Sequence, residues 1–195
     1  MKKLFSIVAV AATIVLASCG GGTTKQVVAN TNNGPAWGDT DAMPAAEYDT
    51  DESFGATGIA SGPVARMDVI QMQSLTNAQN LVRQKMKHAY KGAIDDYSSY
   101  IGNNAGSDAT TKMERAGTQI IDAIVNDTKA TQIRWTRPDD KGNIMCFTGI
   151  RVDKKLITDA IADYVSEDEE LKIRFKEEEF RKKMDSYIEK YKANK

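Results

Sequence analysis

The side chains able to do chemistry are few, and they do not form a catalytic set. His88 is the only histidine among 195 residues, which excludes a site built on several histidines. The two cysteines are Cys19 and Cys146, and Cys146 lies in an apolar segment that favours burial over reactivity. We find neither a paired base and nucleophile nor a metal-ligand cluster. We therefore predict that the protein is not an enzyme, and we assign no catalytic, cofactor-binding or metal-binding residue.

Two further patterns are better explained by local structure than by a site. The segment from Gly58 to Gly62 contains the glycines of a phosphate loop but lacks its Gly-Lys-Ser/Thr ending, which supplies the phosphate-binding charge. Asp139 and Asp140 are adjacent carboxylates in a Pro-Asp-Asp-Lys-Gly segment. A calcium loop needs more oxygen ligands than these two side chains provide, so turn chemistry is the simpler explanation.

The first nineteen residues carry the most informative pattern. The cationic Met1-Lys2-Lys3 precedes an uncharged, mostly apolar run from Leu4 to Leu16, which is too short to span a bilayer as a permanent helix. The run ends in Leu16-Ala17-Ser18-Cys19, and three glycines follow. This segment resembles the lipobox of bacterial lipoproteins, in which the cysteine thiol receives a diacylglycerol after cleavage before it. The open alternative is an ordinary secretory signal or a single-pass anchor.

The resemblance implies a lipid anchor at Cys19. One acyl chain binds a membrane marginally, whereas two or more hold a protein stably. No later stretch reaches eighteen consecutive apolar residues, so no further membrane segment is expected. Gly20 follows the cysteine where an aspartate would signal retention in the inner membrane of Gram-negative bacteria. The resemblance therefore implies attachment to the outer membrane. We favour a protein facing the periplasm, and exposure at the cell surface is the open alternative.

The charge balance argues against nucleic acid as a partner. The whole chain has 26 basic and 27 acidic residues, and removal of Lys2 and Lys3 with a signal peptide leaves 24 basic residues against 27 acidic ones. Binding through counterion release needs a basic surface that this composition does not supply.

Composition also divides the chain. We predict a signal peptide over residues 1–18, then the lipidated cysteine and a flexible tether rich in Gly, Thr, Asn and Pro over 19–51. A folded domain is expected over 52–165, followed by a charged helix over 166–195.

Hydrophobic periodicity predicts the elements of that domain. Small apolar residues indicate a first strand over Glu52–Ala60, ended by Ser61-Gly62-Pro63. A helix from Val64 to Ile101 follows, and then a second helix with a capping box at Thr111 and Glu114. Strands 131–136 and 143–152 form a hairpin. Asp153 caps a further helix, whose inner side is Leu156, Ile157, Ala160, Ile161 and Tyr164. We predict an α+β fold with a small antiparallel sheet and a charged amphipathic C-terminal helix.

Two stretches resemble a known family. They are Phe54-Gly55-Ala56-Thr57-Gly58 before the long helix and the segment from Gly142 to Ile150. With the lipobox and the element order, they are similar to the lipoprotein-twenty family of small outer-membrane lipoproteins. The resemblance covers roughly residues 52 to 165. It implies a compact domain and a non-catalytic role in the cell envelope.

One proposed function needs no special residues: that of a structural or interaction lipoprotein, which binds other envelope proteins. The alternative is a lipid-anchored protein that binds a small molecule or glycan between sheet and helices, with Tyr97, Arg134 and Trp135 as the polar groups of its pocket.

Two predicted helix faces are candidate surfaces for further partners. The spacing of Phe180, Met184, Tyr187 and Tyr191 suits packing either on the same domain or on a second subunit, which would make a homo-oligomer. The basic residues Arg83, Lys85, Lys87 and Lys91 form either a solvated helix face or a surface for an acidic partner or anionic headgroups.

Overall fold

The computed structural model describes residues 33–38, 43, 48–101, 107–167 and 176–193. Its elements are β1 (Ser53–Pro63), a 3₁₀ turn (Val64–Arg66), α1 (Met67–Ile101), α2 (Ser107–Asp127), β2 (Gln132–Trp135), β3 (Asn143–Asp153), α3 (Lys154–Glu167) and α4 (Glu177–Ala193). The predicted α+β class with a small antiparallel sheet is confirmed.

The sheet has three strands in the order β1-β3-β2, and both pairings are antiparallel. The first strand is longer than predicted and runs through Ser61 and Gly62 to Pro63. It continues because β3 offers a partner at every position as far as Asn143, which lies opposite Pro63. A proline at the end of an edge strand removes no hydrogen bond from the sheet.

One face of the sheet, the helix face, lies against α1. Along β3 this face carries Ile144, Cys146, Thr148, Ile150 and Val152, all buried as the alternation predicted. Across from Thr148 on β1 is Gly58, where a Cβ would overlap the backbone of Ser74 and Ala78 on α1. The absence of a side chain at Gly58 therefore lets the helix approach the strand backbone to backbone.

The predicted stripe of α1 packs into the main core. Its buried members include Ala78, Val82, Met86, Ala89 and Ala93, which meet Phe54 and Ala56 of β1 and Ile150 and Val152 of β3. Beside this stripe, α1 also meets α2. The Tyr90 hydroxyl donates to the Met113 carbonyl of α2 at 2.7 Å.

The C-terminal helix α4 packs on α1 of its own chain. Phe180 and Met184 are buried, and the Phe180 ring meets the Tyr97 ring edge to face at 5.8 Å between centroids. Further along α4, the Tyr187 ring lies where a side chain at Gly92 would be.

The other face of the sheet, the outer face, is covered by residues of the predicted tether. Met43 and Tyr48 are buried and cluster with Phe147 of β3. The Tyr48 ring occupies the space above Gly149, and its hydroxyl donates to the Gln132 side chain at 2.6 Å. The described part of the segment before residue 52 thus contacts the domain.

Helix α1 and the segment that covers the outer face meet at the free edge of β1. Asp49 accepts a hydrogen bond from the Gly55 N–H at 3.2 Å, and Lys85 of α1 donates to the Gly55 carbonyl at 2.6 Å. The Lys85 ammonium also pairs with Asp49 at 3.0 Å. Further along, the Asn77 side chain donates to the Ile59 carbonyl at 2.8 Å. These side chains block an edge that would otherwise accept another strand.

Two local predictions about helices were wrong. Because α2 already begins at Ser107, Thr111 and Glu114 lie inside the helix and form no capping box. In α3, Asp153 does cap the helix by accepting from the Lys155 N–H at 2.8 Å. The inner side differs from the prediction, however, since Leu156 and Tyr164 are exposed while Thr158, Ala162 and Val165 are buried.

Candidate functional site

Cys19, the predicted lipidation site, lies outside the described residues. The first described segment, residues 33–38, passes the end of β2. There the Pro35 carbonyl accepts a hydrogen bond from the Arg137 N–H at 2.9 Å, and Gly34 lies directly against the Trp135 carbonyl. Trp37 follows, with 39% of its surface exposed. Gly34 and Pro35 therefore lie at the end of the sheet where β2 ends.

That end brings three segments together. Pro63 lies opposite Asn143 in the sheet, and the Val64 N–H donates to the Gly142 carbonyl at 3.0 Å. We call the exposed residues of this end the turn-end surface. They are residues 63–66, Arg137, Pro138, Asp140 and Lys141, with Trp37 exposed two residues after Pro35.

The turn at this end is built around Asp139. One carboxylate oxygen accepts from the N–H groups of Lys141 and Asn143, and the other accepts from the Asn143 amide. The hydrogen bond from the Asn143 side chain, followed by that from its N–H, holds the pKa of the Asp139 carboxyl below its ordinary value. Gly142 adopts a φ of 76°, which suits glycine. The turn chemistry predicted for this segment accounts for the carboxylate.

The three residues suggested for a ligand pocket are not brought together. Tyr97 is buried in the main core, where its hydroxyl accepts from the Lys176 N–H at 2.8 Å. Trp135 belongs to a separate cluster with Ile70 and Cys146 on the helix face. Arg134 is the neighbour of Trp135 on β2, so it points to the outer face. The prediction that these three side chains line one pocket is therefore wrong.

A charged cleft of about 660 Å³ opens at the opposite end of the sheet. Its cations have partners within the chain. Lys154 donates to the carbonyls of Thr50 and Asp51 and lies 5.2 Å from the centre of the Phe54 ring. Arg181 bonds to Asp159 at 2.6 Å, which lowers the pKa of that carboxyl and links α4 to α3. The remaining lining is mainly acidic: Asp51, Glu52, Asp153, Asp185 and Glu189.

The basic residues of α1 are largely used inside the molecule. Arg83 and Lys87 each contact Asp122 of α2 at 2.9 Å. Lys85 is paired with Asp49, and burial lowers the pKa of its ammonium. Three of the four cations proposed as a partner surface or a solvated face thus join α1 to neighbouring segments.

The remaining reactive side chains lie apart. His88 is on an exposed side of α1. Cys146 is fully buried and accepts a hydrogen bond from the Ser74 hydroxyl at 3.2 Å, and Ser74 also contacts Thr148. Burial raises the pKa of the Cys146 thiol despite these hydrogen bonds. Across the described residues, no three metal-binding side chains converge.

No family model, no curated protein and no solved structure matches this chain. The resemblance to the lipoprotein-twenty family therefore stays a prediction. Within the described ranges, none of the helices combines the length and hydropathy needed to cross a membrane.

The turn-end surface itself was not foreseen from the sequence. Its members come from three segments far apart in the chain, and each is ordinary in its local context. The one available signal was Trp37, an isolated aromatic residue between Pro35 and Gly38 in an otherwise polar segment.

Proposed function

We propose that this protein is a lipoprotein anchored to the outer membrane through Cys19, with a non-catalytic structural or protein-interaction role in the cell envelope. The observation that carries the proposal is Leu16-Ala17-Ser18-Cys19 at the end of a short apolar run behind two lysines. Small residues before a cysteine at that position suit cleavage and acylation, and acyl chains would supply the membrane affinity.

The fold is compatible with a role that depends on surfaces. Two of its potentially reactive side chains make contacts inside the fold: Cys146 accepts a hydrogen bond from Ser74, and Asp122 lies between two cations. The alternative, a small-molecule or glycan carrier, has less support because its suggested residues Tyr97, Arg134 and Trp135 lie in different parts of the fold.

The proposal is tested by labelling cells with radioactive palmitate and comparing two variants that each remove one thiol. Cys19→Ser is expected to lose all label and to accumulate in the uncleaved form, because the acceptor sulfur is gone. Cys146→Ser is the matched control and is expected to keep the label, since Cys146 is buried. Fractionation should place the wild-type protein and the control with outer-membrane material. Label retained by Cys19→Ser would refute the proposal.

A further inference from the structure

Helix α3 carries apolar side chains on two adjacent sides. One side is buried against the core and includes Ile157, Ile161 and Val165. Leu156 and Tyr164 lie outside this buried side, with 52% and 41% of their surfaces exposed. A helix on the surface of a folded domain needs only one apolar side, so the second one contributes little to the fold.

The exposed apolar residues form a stripe rather than isolated positions. Ala160 lies between Leu156 and Tyr164 at steps of four residues, and such positions are neighbours on a helix surface. The three residues, which we call the α3 stripe, extend over about 12 Å of helix. The short side chain of Ala160 leaves room at the centre, so another helix can approach between the two larger side chains.

Carboxylates border the α3 stripe. Asp163 lies three residues after Ala160 and Glu167 lies three residues after Tyr164, so each is a neighbour of the stripe on the helix surface. Both are exposed, and neither forms an ion pair within the part of the chain that the structure describes. The stripe is therefore an apolar strip beside unpaired negative charge.

The two lysines of α3 do not offset this charge. Lys154 is buried and donates to two backbone carbonyls. Lys155 contacts Asp159 at 3.4 Å, and Asp159 also binds Arg181 of α4 at 2.6 Å. These groups lie on the side of α3 that meets α4, away from the stripe. The α3 stripe thus keeps an anionic border.

We propose that the α3 stripe binds an amphipathic helix of a partner protein, one whose apolar side is bordered by lysine or arginine residues. The apolar side chains supply the contact area, and the carboxylates supply the preference for a cationic partner. The small size of the stripe makes the contact weak and transient. This inference rests on the proposed protein-interaction role, for which it names a surface and a kind of partner, but not on the lipid at Cys19.

The charges argue against two other occupants. When the α3 helices of two copies pair antiparallel with their Ala160 residues in contact, Leu156 of one copy meets Tyr164 of the other. The same register places Asp153 opposite Glu167, and like charges in contact are unfavourable. Anionic lipid headgroups would meet the same carboxylates and be repelled.

The test uses two fluorescein-labelled helical peptides of about eighteen residues, or about five turns. Both carry leucines along one side, bordered by lysines in the cationic peptide and by glutamates in the anionic one. The full chain is reconstituted in phosphatidylcholine vesicles, which have no net charge, and peptide binding is measured by fluorescence anisotropy with the signal of empty vesicles subtracted. The cationic peptide should bind at least about tenfold more tightly than the anionic one, and its affinity should fall as salt is added.

Two double variants separate the apolar contact from the charge. Leu156→Ser with Tyr164→Ser should weaken binding of the cationic peptide at least about fivefold, because the contact area is lost. Asp163→Asn with Glu167→Gln should remove most of the salt dependence and the preference for the cationic peptide. All four side chains are exposed, so these changes should not impair folding.

The matched control lies on another helix. Asp68 and Met72 are an exposed carboxylate and an exposed apolar residue four positions apart on α1, and Met72 is 63% exposed. Asp68→Asn with Met72→Ser should leave peptide binding unchanged, because this site has no second apolar residue beside it.

Three results would overturn the inference: no binding of the cationic peptide, equal binding of the anionic peptide, or an equal loss in the α1 control. Chemical crosslinking of the reconstituted protein gives a fourth. A dimer that is lost in Leu156→Ser with Tyr164→Ser would place a second copy on the α3 stripe. The intact mass of the same sample reports separately on Cys19, since a lipid-free mass refutes the proposed anchor while the same titration, run in solution, still decides this inference.

Discussion

On the helix face of the sheet the cover is a 35-residue helix that contacts β1 backbone to backbone at Gly58, whereas on the outer face it is a short segment contributing Met43 and Tyr48. Both covers depend on glycines in the strands. At Gly58 the neighbouring atoms belong to the main chain of α1, but at Gly149 they belong to the ring of Tyr48.

This difference determines how each face responds to a change. A helix backbone fixed by a buried core on two sides cannot move without disturbing that core. A tyrosine ring on an irregular segment can tilt. Gly58→Ala and Gly149→Ala should therefore have different costs. Gly55, also on the outer face, is not equivalent to Gly149, because a Cβ there would meet the main chain of Tyr48.

The largest effect is expected for Gly58→Ala. The added methyl group would overlap the Ser74 carbonyl and the Ala78 amide, so α1 must shift and the free energy of unfolding should fall by more than about 3 kcal/mol. Gly62→Ala is the matched control on the same face of β1, where the nearest atoms are the flexible end of Ile70 at 3.3 Å. Its cost should stay below about 1 kcal/mol. Equal midpoints for the two variants in urea denaturation would contradict this account of α1 packing.

Much of this architecture was predictable because it depends on local periodicity. The alternation along β3 correctly placed Ile144, Cys146 and Ile150 together on one buried face, the helix face. The steps of three and four along α1 correctly identified the side that meets the sheet. The Pro-Asp-Asp-Lys-Gly segment indicated the hairpin, which forms between β2 and β3.

The features that were missed depend on contacts between distant segments. Nothing near Tyr48 in the sequence shows that its ring will cover Gly149, about a hundred residues later. The apolar residues Leu156 and Tyr164 fit an inner side of α3, yet Thr158, Ala162 and Val165 face inward instead. Several apolar residues distributed around a short helix leave its rotation undetermined until a neighbouring element selects one side.

An intermediate effect is expected on the outer face. Gly149→Ala should cost about 2 kcal/mol because the Tyr48 ring must tilt, and Tyr48→Ala should cost about 2–3 kcal/mol through lost burial. The double variant should be more stable than the sum predicts by about 1–2 kcal/mol, because removal of the ring also removes the clash. Strict additivity in a denaturation cycle would show that the ring does not restrain Gly149. For Gly58→Ala, truncation of a side chain offers no such rescue, since the clash is with backbone.

The smallest effect is the pH dependence of stability that Cys146 causes. The pKa of this thiol depends on how completely α1 excludes water from the helix face. Burial raises the pKa of this thiol in the folded state, so its stabilising contribution is complete below the ordinary thiol pKa and is lost as the pH rises through the folded value. The stability of the wild type relative to Cys146→Ser should therefore decline above about pH 8.5, by up to about 1.4 kcal/mol one pH unit higher. Urea denaturation of both proteins at several pH values measures this difference and cancels the other titrating groups. A constant difference would mean that the thiolate forms as readily under α1 as in the unfolded chain, and hence that water reaches the centre of this face.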